Sequence, residues 1–367
     1  MDTGRGQVMT EKNVPKYIEI ADWLRHNILD GTFRTGERLI TEHSLCEKFR
    51  ISRHTARSAV ALLEQEGLVV RRQGDGTYVN LGLNTKRKNI GVLLTDPNCY
   101  TFPNMISGIN EVLSSQGHRI TLALSQNKVE NERAQLLSFQ AANIDGLIVE
   151  AVQSSFANPN LDIYRDFLAR NIPIIFVNTY YPRLDSNYIV NDDVEGGRIA
   201  TGYLIDQGHR KIGGIFKLDS IQGSLRYEGF VNKLYEQNLT LDEARITWYS
   251  DESEDHLFSS EQLSLLTEAL SNCTAVLCYS DRIACKLIDA SSKLGLQIPQ
   301  DLSIASFDNS IVSRMAIPSI TSVTHPGAEM GVLAASSLLK MIGNPNHTIQ
   351  YAYKPTLVIR DSVRVCL

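Results

Sequence analysis

The chain has 367 residues, of which 43% are hydrophobic and 21% are charged, with a formal net charge of -5. This composition is typical of a folded globular protein and excludes a fibrous or low-complexity chain, and the length favours two or three domains. Residues 1–30 contain no apolar signal core, and no later run reaches the roughly 18 apolar residues that a membrane span needs, so we expect a cytoplasmic protein without membrane contact.

Charge and cysteine are unevenly distributed along the chain. Residues 1–88 hold 15 Lys or Arg against 11 Asp or Glu, whereas the remainder holds 21 against 30. The basic bias belongs to the N-terminal part alone and favours a polyanionic partner there. The six cysteines form no C-x-x-C pair, so we expect a reduced protein with no metal site and no cofactor.

Three helices and a hairpin are predicted in the N-terminal part. Helical spacing of apolar residues covers 16–29, and a second short helix runs from Thr41, as its N-cap, through Phe49. Ser52 caps a third helix, and an Asp-Gly turn at Asp75 joins two β-rich runs. The order of helix, helix, helix and hairpin is that of a winged helix-turn-helix domain, which is an α+β fold.

The third helix begins with the segment SRHTARSAV. Its apolar stripe includes Ala56 and Val60 and faces a small core, while Arg53, His54 and Arg57 lie outside that stripe. Taken alone, these cations fit a solvated helix face equally well. Together with the basic hairpin they supply the parts for reading a DNA major groove and holding phosphate.

Residues 15–80 resemble the DNA-binding domain of the GntR family of bacterial regulators. The resemblance rests on the pattern S-R-x-T-x-R-x-A…G-L…R-x-G-x-G-T-x-V, and it departs from the family at Ile40 and His43. The resemblance implies double-stranded operator DNA as a partner. It carries the family's DNA contacts onto Glu42, Ser52, Arg53, His54, Thr55, Arg57, Gln73 and Gly74.

Four segments are predicted along the chain. Residues 1–14 are a flexible N-terminal segment, 15–80 are the winged helix-turn-helix domain, and 81–88, with the sequence LGLNTKRK, are a linker. Residues 89–367 form a large domain that binds an effector and dimerises. The basic end of the linker is predicted as solvated charge.

Strands and helices alternate throughout the large domain. Buried-type strands are predicted at NIGVLLT, RITLAL, IDGLIVE and IPIIFVN, and again at KIGGIFK, TAVLCYS and LSIASFD. Such alternation predicts parallel sheets with right-handed crossovers. The two series predict an α/β domain of two Rossmann-like lobes.

Polar and aromatic side chains follow many of these strands, at the edge where open α/β sheets bind ligands. They are Tyr100, Phe102, Glu150, Asn178, Lys217, Asp219, Tyr279, Ser280, Asp281 and Asp308. Carboxylates, amides and Arg suit the paired hydroxyls of a sugar. The chain lacks the G-x-G-x-x-G, Walker and G-x-S-x-G motifs, so we do not expect an enzyme.

Residues from 89 to about 363 resemble the LacI-type effector domain, through GHRKIGGIF, QGSLRYEGF, TAVLCYSDRIA and IPQDLSIASFDNS. That domain is similar in turn to periplasmic sugar-binding proteins, so the resemblance implies a periplasmic-binding-protein-like fold. The family's effector contacts then match Phe102, Glu150, Asn178, Arg226, Ser280, Asp308 and His325. The chain has Ser280-Asp281 where the family usually has Asn-Asp, and Asp281 fits a helix cap better than a ligand contact.

The combined domains resemble bacterial sugar-responsive repressors, and this resemblance implies L-arabinose as the effector. The residues themselves indicate only a small neutral polyol, because Glu150 and Asp308 offset Arg226 and Lys217. We expect a homodimer that binds a two-fold symmetric operator and releases it when sugar closes the lobes. A transporter's sugar-binding component and a transcriptional activator are the alternatives; the first requires an export signal and the second depends on operator position.

Overall fold

The structure, a computed structural model, describes residues 15–34, 36–72, 74–79, 87–96 and 100–366. The predicted flexible segment 1–14, the predicted DNA contact Gln73 and the linker residues 81–86 lie outside the described residues. The chain divides into two compact units, Met1–Arg87 and Lys88–Leu367. No helix in the described ranges is both long and apolar enough to cross a membrane.

The first unit is a winged helix-turn-helix fold, as predicted. Its elements are α1 (Lys16–Leu29), α2 (Glu42–Phe49), α3 (Arg53–Gln65), β1 (Val69–Arg72) and β2 (Gly76–Val79). The strands pair antiparallel with Val69 opposite Val79. A single core of buried side chains joins the three helices to both strands, and its largest members include Leu24, Leu45 and Leu63.

Local chemistry explains where the second and third helices begin and end. The Thr41 hydroxyl accepts a hydrogen bond from the Ser44 amide at 3.1 Å, and Ser52 caps α3 in the same way through the Thr55 amide at 3.1 Å. Arg50 ends α2 in the left-handed conformation, with φ of 51°. These caps and this stop set the turn between the two helices.

The second unit contains two six-stranded sheets, which are parallel except for one edge strand. Lobe one has the strand order β13-β7-β6-β5-β3-β4, from β3 (Asn89–Leu94), β4 (Arg119–Leu124), β5 (Gly146–Val149), β6 (Ile174–Val177), β7 (Asn187–Asn191) and β13 (Gln350–Tyr353). Lobe two has the order β14-β12-β11-β10-β8-β9, from β8 (Ile212–Lys217), β9 (Ile246–Tyr249), β10 (Ala275–Cys278), β11 (Ser303–Asp308), β12 (Thr321–Thr324) and β14 (Leu357–Val358). Strand β14 pairs antiparallel with β12 at one edge.

Helices cover the faces of both sheets. They are α4 (Phe102–Ser115), α5 (Val129–Ala141), α6 (Leu161–Ala169), α7 (Asp193–Asp206), α8 (Ile221–Glu236), α9 (Glu254–Leu257), α10 (Ser260–Leu270), α11 (Asp281–Lys293), α12 (Ile311–Met315) and α13 (Gly327–Gly343). The central strands were predicted from the sequence, but the strands β7, β9, β12, β13 and β14 were not. The helices α9, α10, α12 and α13 were not predicted either.

Each lobe contains one helix pair that packs through glycine. A Cβ on Gly197 of α7 would overlap the carbonyl oxygen of Arg226, and a Cβ on Gly229 of α8 would overlap that of Val194. Helices α4 and α13 of lobe one meet in the same way at Gly108 and Gly331. The close approach of α7 and α8 brings the side chains of Asp193 and Arg226 together.

Within the described residues the chain passes between the two sheets at three places. These lie between β7 and α7, between β12 and α13, and between β13 and β14. Asp193 begins α7 directly after the first crossing, and His325 lies in the second. Two titratable side chains are therefore placed where the lobes join.

Candidate functional site

The N-terminus of α3 presents a row of polar side chains. Arg53, His54 and Arg57 are exposed, whereas the apolar stripe of the helix is buried. The Ser52 and Thr55 hydroxyls lie 2.8 Å apart, and Ser52 also accepts from the Thr55 amide. The two hydroxyls therefore cap the N-terminus of the helix. The side chains of Arg53, His54 and Arg57 are exposed and do not belong to the apolar core.

Glu42, the first residue of α2, lies beside two arginines. Its carboxylate is 3.5 Å from Arg57 Nη2 and 3.6 Å from Arg71 Nη2, and Arg71 Nε is 3.2 Å from Glu64. The Arg57 side chain is 66% exposed. Exposed pairs of this length are weak, so a phosphate can displace the carboxylates from the arginines.

The hairpin supplies a second basic surface. Gly74 lies in the turn between β1 and β2, and Gly76 is the first residue of β2. Their φ angles of 79° and 117° lie in a backbone region that glycine adopts without strain. The guanidinium of Arg72 lies over the Tyr78 ring at 4.2 Å from its centroid. The predicted contact Gly74 thus lies at the tip of a basic hairpin.

A cavity of about 110 Å³ lies between the two lobes at the carboxyl ends of their strands. The residues predicted as effector contacts that line it are Glu150, Asn178, Arg226, Ser280, Asp308 and His325. Phe102 does not line this cavity, because its ring packs against the apolar core of lobe one. Tyr100 and Thr101, which precede it, line the cavity in its place.

On the side of lobe one, three predicted contacts form a hydrogen-bonded chain. Glu150 accepts from the Thr95 amide at 3.0 Å and from the Asn178 side-chain amide at 2.8 Å. His325 Nε2 lies 2.8 Å from the Asn178 side-chain oxygen. Burial, with the charge of Arg226 nearby, lowers the pKa of His325 to about 3. The imidazole is therefore neutral and donates from Nε2 to Asn178.

On the side of lobe two, Arg226 is 2% exposed and held on several sides. Its Nε donates to Asp193 at 2.8 Å, and Nη1 donates to the Tyr279 carbonyl at 2.5 Å. Its guanidinium also stacks on the rings of Tyr279 and Phe307. Burial alone would lower the pKa of Arg226, but nearby negative charge outweighs it, and the pKa is raised.

Asp308 ends β11 with an unusual backbone, at φ of 100°. Its carboxylate is 3.8 Å from Arg226 Nη1, and burial raises its pKa to about 7 against the attraction of that arginine. Asp281, which is fully buried, accepts hydrogen bonds from the Ser306, Ser310 and Ser322 hydroxyls. Because Ser306 and Ser310 flank Asp308, Asp281 fixes the strained segment that carries it.

Several residues of the cavity were not among the predicted effector contacts. Asn127, Asp251, Glu254 and Arg282 line it, as do Lys217 and Asp219, which the sequence analysis noted at a strand end. Asn127 follows β4, so its position after a predicted strand is a sequence signal that could have identified it. Asp251 follows β9, a strand that the sequence analysis did not predict.

The cavity carries a negative balance of charge. Among the described residues that line it, six are acidic and three are Lys or Arg: Asp96, Glu150, Asp219, Asp251, Glu254 and Asp308 against Lys217, Arg226 and Arg282. This balance disfavours a phosphorylated or carboxylated ligand. Carboxylates and amides on opposite walls suit a neutral molecule that donates hydrogen bonds in several directions.

Sequence comparison assigns both units. Residues 16–79 match the model described as bacterial regulatory proteins, gntR family, and residues 201–363 match the periplasmic binding protein-like domain. The arabinose metabolism transcriptional repressors of Halalkalibacterium halodurans and Geobacillus stearothermophilus are each 32% identical to this chain. The alignments cover 95% and 97% of this chain and 96% and 100% of the relatives. The chain belongs to the arabinose metabolism transcriptional repressor family.

Solved structures agree with this membership at the level of the fold. The transcription regulator CcpA of Lactococcus lactis matches with a TM-score of 0.67 at 24% identity, covering 76% of this chain and 100% of that chain. This chain thus joins a GntR-type winged helix-turn-helix to a two-lobed periplasmic binding protein-like domain, as predicted from the sequence. Both of these relatives are named as transcriptional repressors.

Proposed function

We propose that this protein represses transcription by binding operator DNA through its winged helix-turn-helix domain, and that L-arabinose, bound between the lobes, releases it. The relatives named as arabinose metabolism repressors support this assignment. The observation that supports a sugar as the effector is the cavity itself, which is lined by more acidic than basic side chains and has carboxylate and amide groups on facing walls. Another small sugar or polyol is the alternative effector.

The proposed sugar contacts are Glu150, Asn178, Arg226, Ser280, Asp308 and His325. Arg226 and Asp308 provide a donor and an acceptor side by side on lobe two, and Glu150 and Asn178 provide an acceptor and a donor on lobe one. Adjacent hydroxyls both donate and accept, so a sugar can bridge the two walls. Contact with both lobes links sugar binding to lobe closure.

The proposed DNA contacts are Glu42, Ser52, Arg53, His54, Thr55, Arg57, Gln73 and Gly74. Exposed cations at the start of α3 suit the major groove, where Arg pairs with guanine O6 and N7. The basic hairpin suits phosphate or the adjacent minor groove. A protein that acts in this way works in the cytoplasm as a regulator without a catalytic step.

A homodimer completes the proposal, since two DNA-binding units then meet a two-fold symmetric operator. An exposed apolar surface on lobe two supports it: Ile311, Met315 and Ile317 are 58%, 73% and 90% exposed. Apolar patches of this kind mark protein interfaces. Sedimentation of Ile317→Asp beside the wild type tests the surface, and an unchanged dimer in the variant excludes it.

Thermal unfolding against a panel of sugars tests the effector. A ligand that binds only the folded state raises the unfolding midpoint, so L-arabinose is expected to shift it whereas pentose phosphates are not. If only a different neutral sugar shifts the unfolding midpoint, that sugar is the effector in place of L-arabinose, and the proposal of a neutral sugar still holds. A shift by a phosphorylated sugar alone would contradict the charge argument.

Calorimetry with and without operator DNA tests the repressor mechanism. Coupling between two sites is reciprocal, so operator DNA must weaken L-arabinose binding by the factor by which the sugar weakens operator binding. Typical coupling of about 1 to 3 kcal/mol predicts a change of roughly 5- to 150-fold. The same sugar affinity with and without operator contradicts release by the sugar.

A further inference from the structure

The side chain of Asn127 spans the two lobes. It lies in the turn after β4 of lobe one and is 7% exposed. Its Nδ2 group donates to Asp219 Oδ2 at 3.1 Å and to Asp251 Oδ2 at 2.5 Å, and both carboxylates belong to lobe two. A primary amide has two N–H bonds, so both of them are used on the opposite lobe.

Lobe one holds Asn127 in this orientation at a cost to the backbone. Gln126, Asn127 and Gln153 have φ of 53°, 52° and 42°, in the left-handed region that non-glycine residues seldom adopt. The Gln153 amide donates to the Asn127 side-chain oxygen at 2.8 Å, and its side chain donates to the Asn127 carbonyl at 3.2 Å. Clusters of strained residues of this kind occur where function requires a fixed geometry.

Lobe two presents its two carboxylates in an equally fixed arrangement. Asp251 lies 2.5 Å from Lys217 Nζ, and the Asp251 amide donates to Asp219 Oδ2 at 3.1 Å. Lys217, Asp219 and Asp251 all line the cavity. The amide of Asn127 therefore joins the wall of the proposed sugar site to lobe one.

Two more hydrogen bonds cross between the lobes from the loop that begins at Gln153. Ser154 Oγ accepts from the Ile221 amide at 2.9 Å, and Ser155 Oγ donates to the Leu218 carbonyl at 2.6 Å. Since Gln153 is bonded to Asn127, the turn and this loop approach lobe two together. Asn127 is the member of this group whose side chain faces charge.

We infer that Asn127 is a positioning residue that holds the lobes closed, so that sugar affinity depends on its two hydrogen bonds to Asp219 and Asp251. The inference rests on the proposed function, because closure has an effect on affinity only where a ligand contacts both lobes. In the free protein the same bonds favour the closed form. Their loss shifts the lobes toward an open form that binds sugar more weakly.

The substitution Asn127→Asp tests the inference with little change of shape. Asp tolerates the left-handed backbone as Asn does, but it has no N–H to donate and places a third carboxylate against Asp219 and Asp251. We expect the Kd for L-arabinose to rise at least about tenfold, the loss expected for one hydrogen bond to a charged acceptor. Operator affinity without sugar is expected to be at least that of the wild type, whereas a misfolded variant would lose it.

The control is Asn171→Asp, the same change at an exposed asparagine of lobe one with φ of 58°. Its sugar affinity is expected to match the wild type. If Asn127→Asp does not fold, Asn127→Gly removes the side chain and still permits the left-handed backbone, and it is expected to weaken sugar binding in the same direction.

Hydrogen–deuterium exchange of the Ile221 amide measures closure without any sugar. We expect faster exchange in Asn127→Asp and Asn127→Gly than in the wild type and Asn171→Asp. Sugar binding within about twofold of the wild type in both Asn127 variants, or unchanged exchange at Ile221, would overturn the inference. A wild type that ignores L-arabinose would instead contradict the proposed effector, and the exchange result would still decide the role of Asn127.

Discussion

Arg57 in the DNA-binding unit and Arg226 in the two-lobed unit are held in opposite ways. The Arg57 side chain is 66% exposed, and its partner Glu42 is 3.5 Å away. The Arg226 side chain is 3% exposed, with Asp193 at 2.8 Å, a carbonyl at 2.5 Å and two aromatic rings against it. The first guanidinium is available to a new partner, and the second is fixed before any ligand arrives.

The difference follows from what each proposed ligand supplies. DNA phosphate carries its own charge and attracts a mobile cation over a distance of several ångströms, so an exposed arginine suits it. A neutral sugar attracts nothing at long range, and its binding depends on donors and acceptors already in place. Arg226 therefore stabilises the fold as well as the proposed sugar site, whereas Arg57 contributes only to the proposed contact with DNA.

The largest effect is expected for Arg226→Ala. This change leaves Asp193, which is 4% exposed, without its cation in a buried place. Removing one partner of a buried ion pair typically costs about 3 to 5 kcal/mol of unfolding free energy. Urea unfolding of the full chain measures the loss, and calorimetry is expected to detect no sugar binding. A loss below about 1 kcal/mol would mean that burial does not distinguish the two arginines.

Arg53→Ala and Arg57→Ala are expected to affect DNA binding alone. If the guanidinium contacts a base, its loss is predicted to cost about 1 to 3 kcal/mol of binding free energy for the operator. If it contacts a phosphate, its loss is predicted to weaken binding to all DNA sequences equally. The salt dependence of binding separates the two cases, because losing a phosphate contact lowers the slope of log binding constant against log salt concentration by about one. Sugar affinity and unfolding serve as controls, and equal damage to sugar binding would contradict the separation of the two sites.

The sequence predicted more of the first unit than of the cavity, for physical reasons. The caps at Thr41 and Ser52 and the Asp-Gly turn are local signals, and the helix and hairpin bounds that they predict are close to those observed. Glu150, Asn178 and Asp308 were predicted to lie together because each stands at the carboxyl end of a strand, and all three line one cavity. These features depend on neighbours in sequence or on the general geometry of parallel sheets.

What the sequence did not indicate depends on distant contacts. Phe102 follows a strand by position, but its ring has an apolar core to enter, whereas Tyr100 does not and remains 42% exposed. The contact between Asn127 and Asp251 joins residues 124 positions apart, and Asp251 follows a strand that was not predicted. A pattern along the chain carries no information on which side chains meet across two lobes.

The pH dependence of sugar binding sharpens the description of the buried site. Burial raises the pKa of Asp308 to about 7, although Arg226 lowers it, so the free protein is partly protonated there at neutral pH. A sugar hydroxyl that donates to Asp308 favours the ionised form, so binding releases a proton and affinity rises as pH rises from about 6 to 8. The limit is about tenfold for each pH unit below that pKa.

Calorimetry in buffers of different ionisation enthalpy measures the released proton directly. Asp308→Asn is the matched variant, since it keeps the shape and removes the titration. It is expected to bind sugar more weakly and with no dependence on pH in this range. An affinity that falls with rising pH in the wild type would mean that the sugar does not donate to Asp308.

The smallest effect is expected for Glu42→Ala on the stability of the DNA-binding unit. Glu42 lies 3.5 and 3.6 Å from two exposed arginines, and pairs of that kind contribute about 0 to 1 kcal/mol. The free energy of unfolding, measured in urea, is expected to change by about 0.5 kcal/mol or less. Operator affinity separately tests the proposed contact of the carboxylate with DNA. A loss approaching that of Arg226→Ala would show that Glu42 holds Arg57 and Arg71 in a fixed arrangement, and the contrast between an available arginine and a fixed one would then fail in this unit.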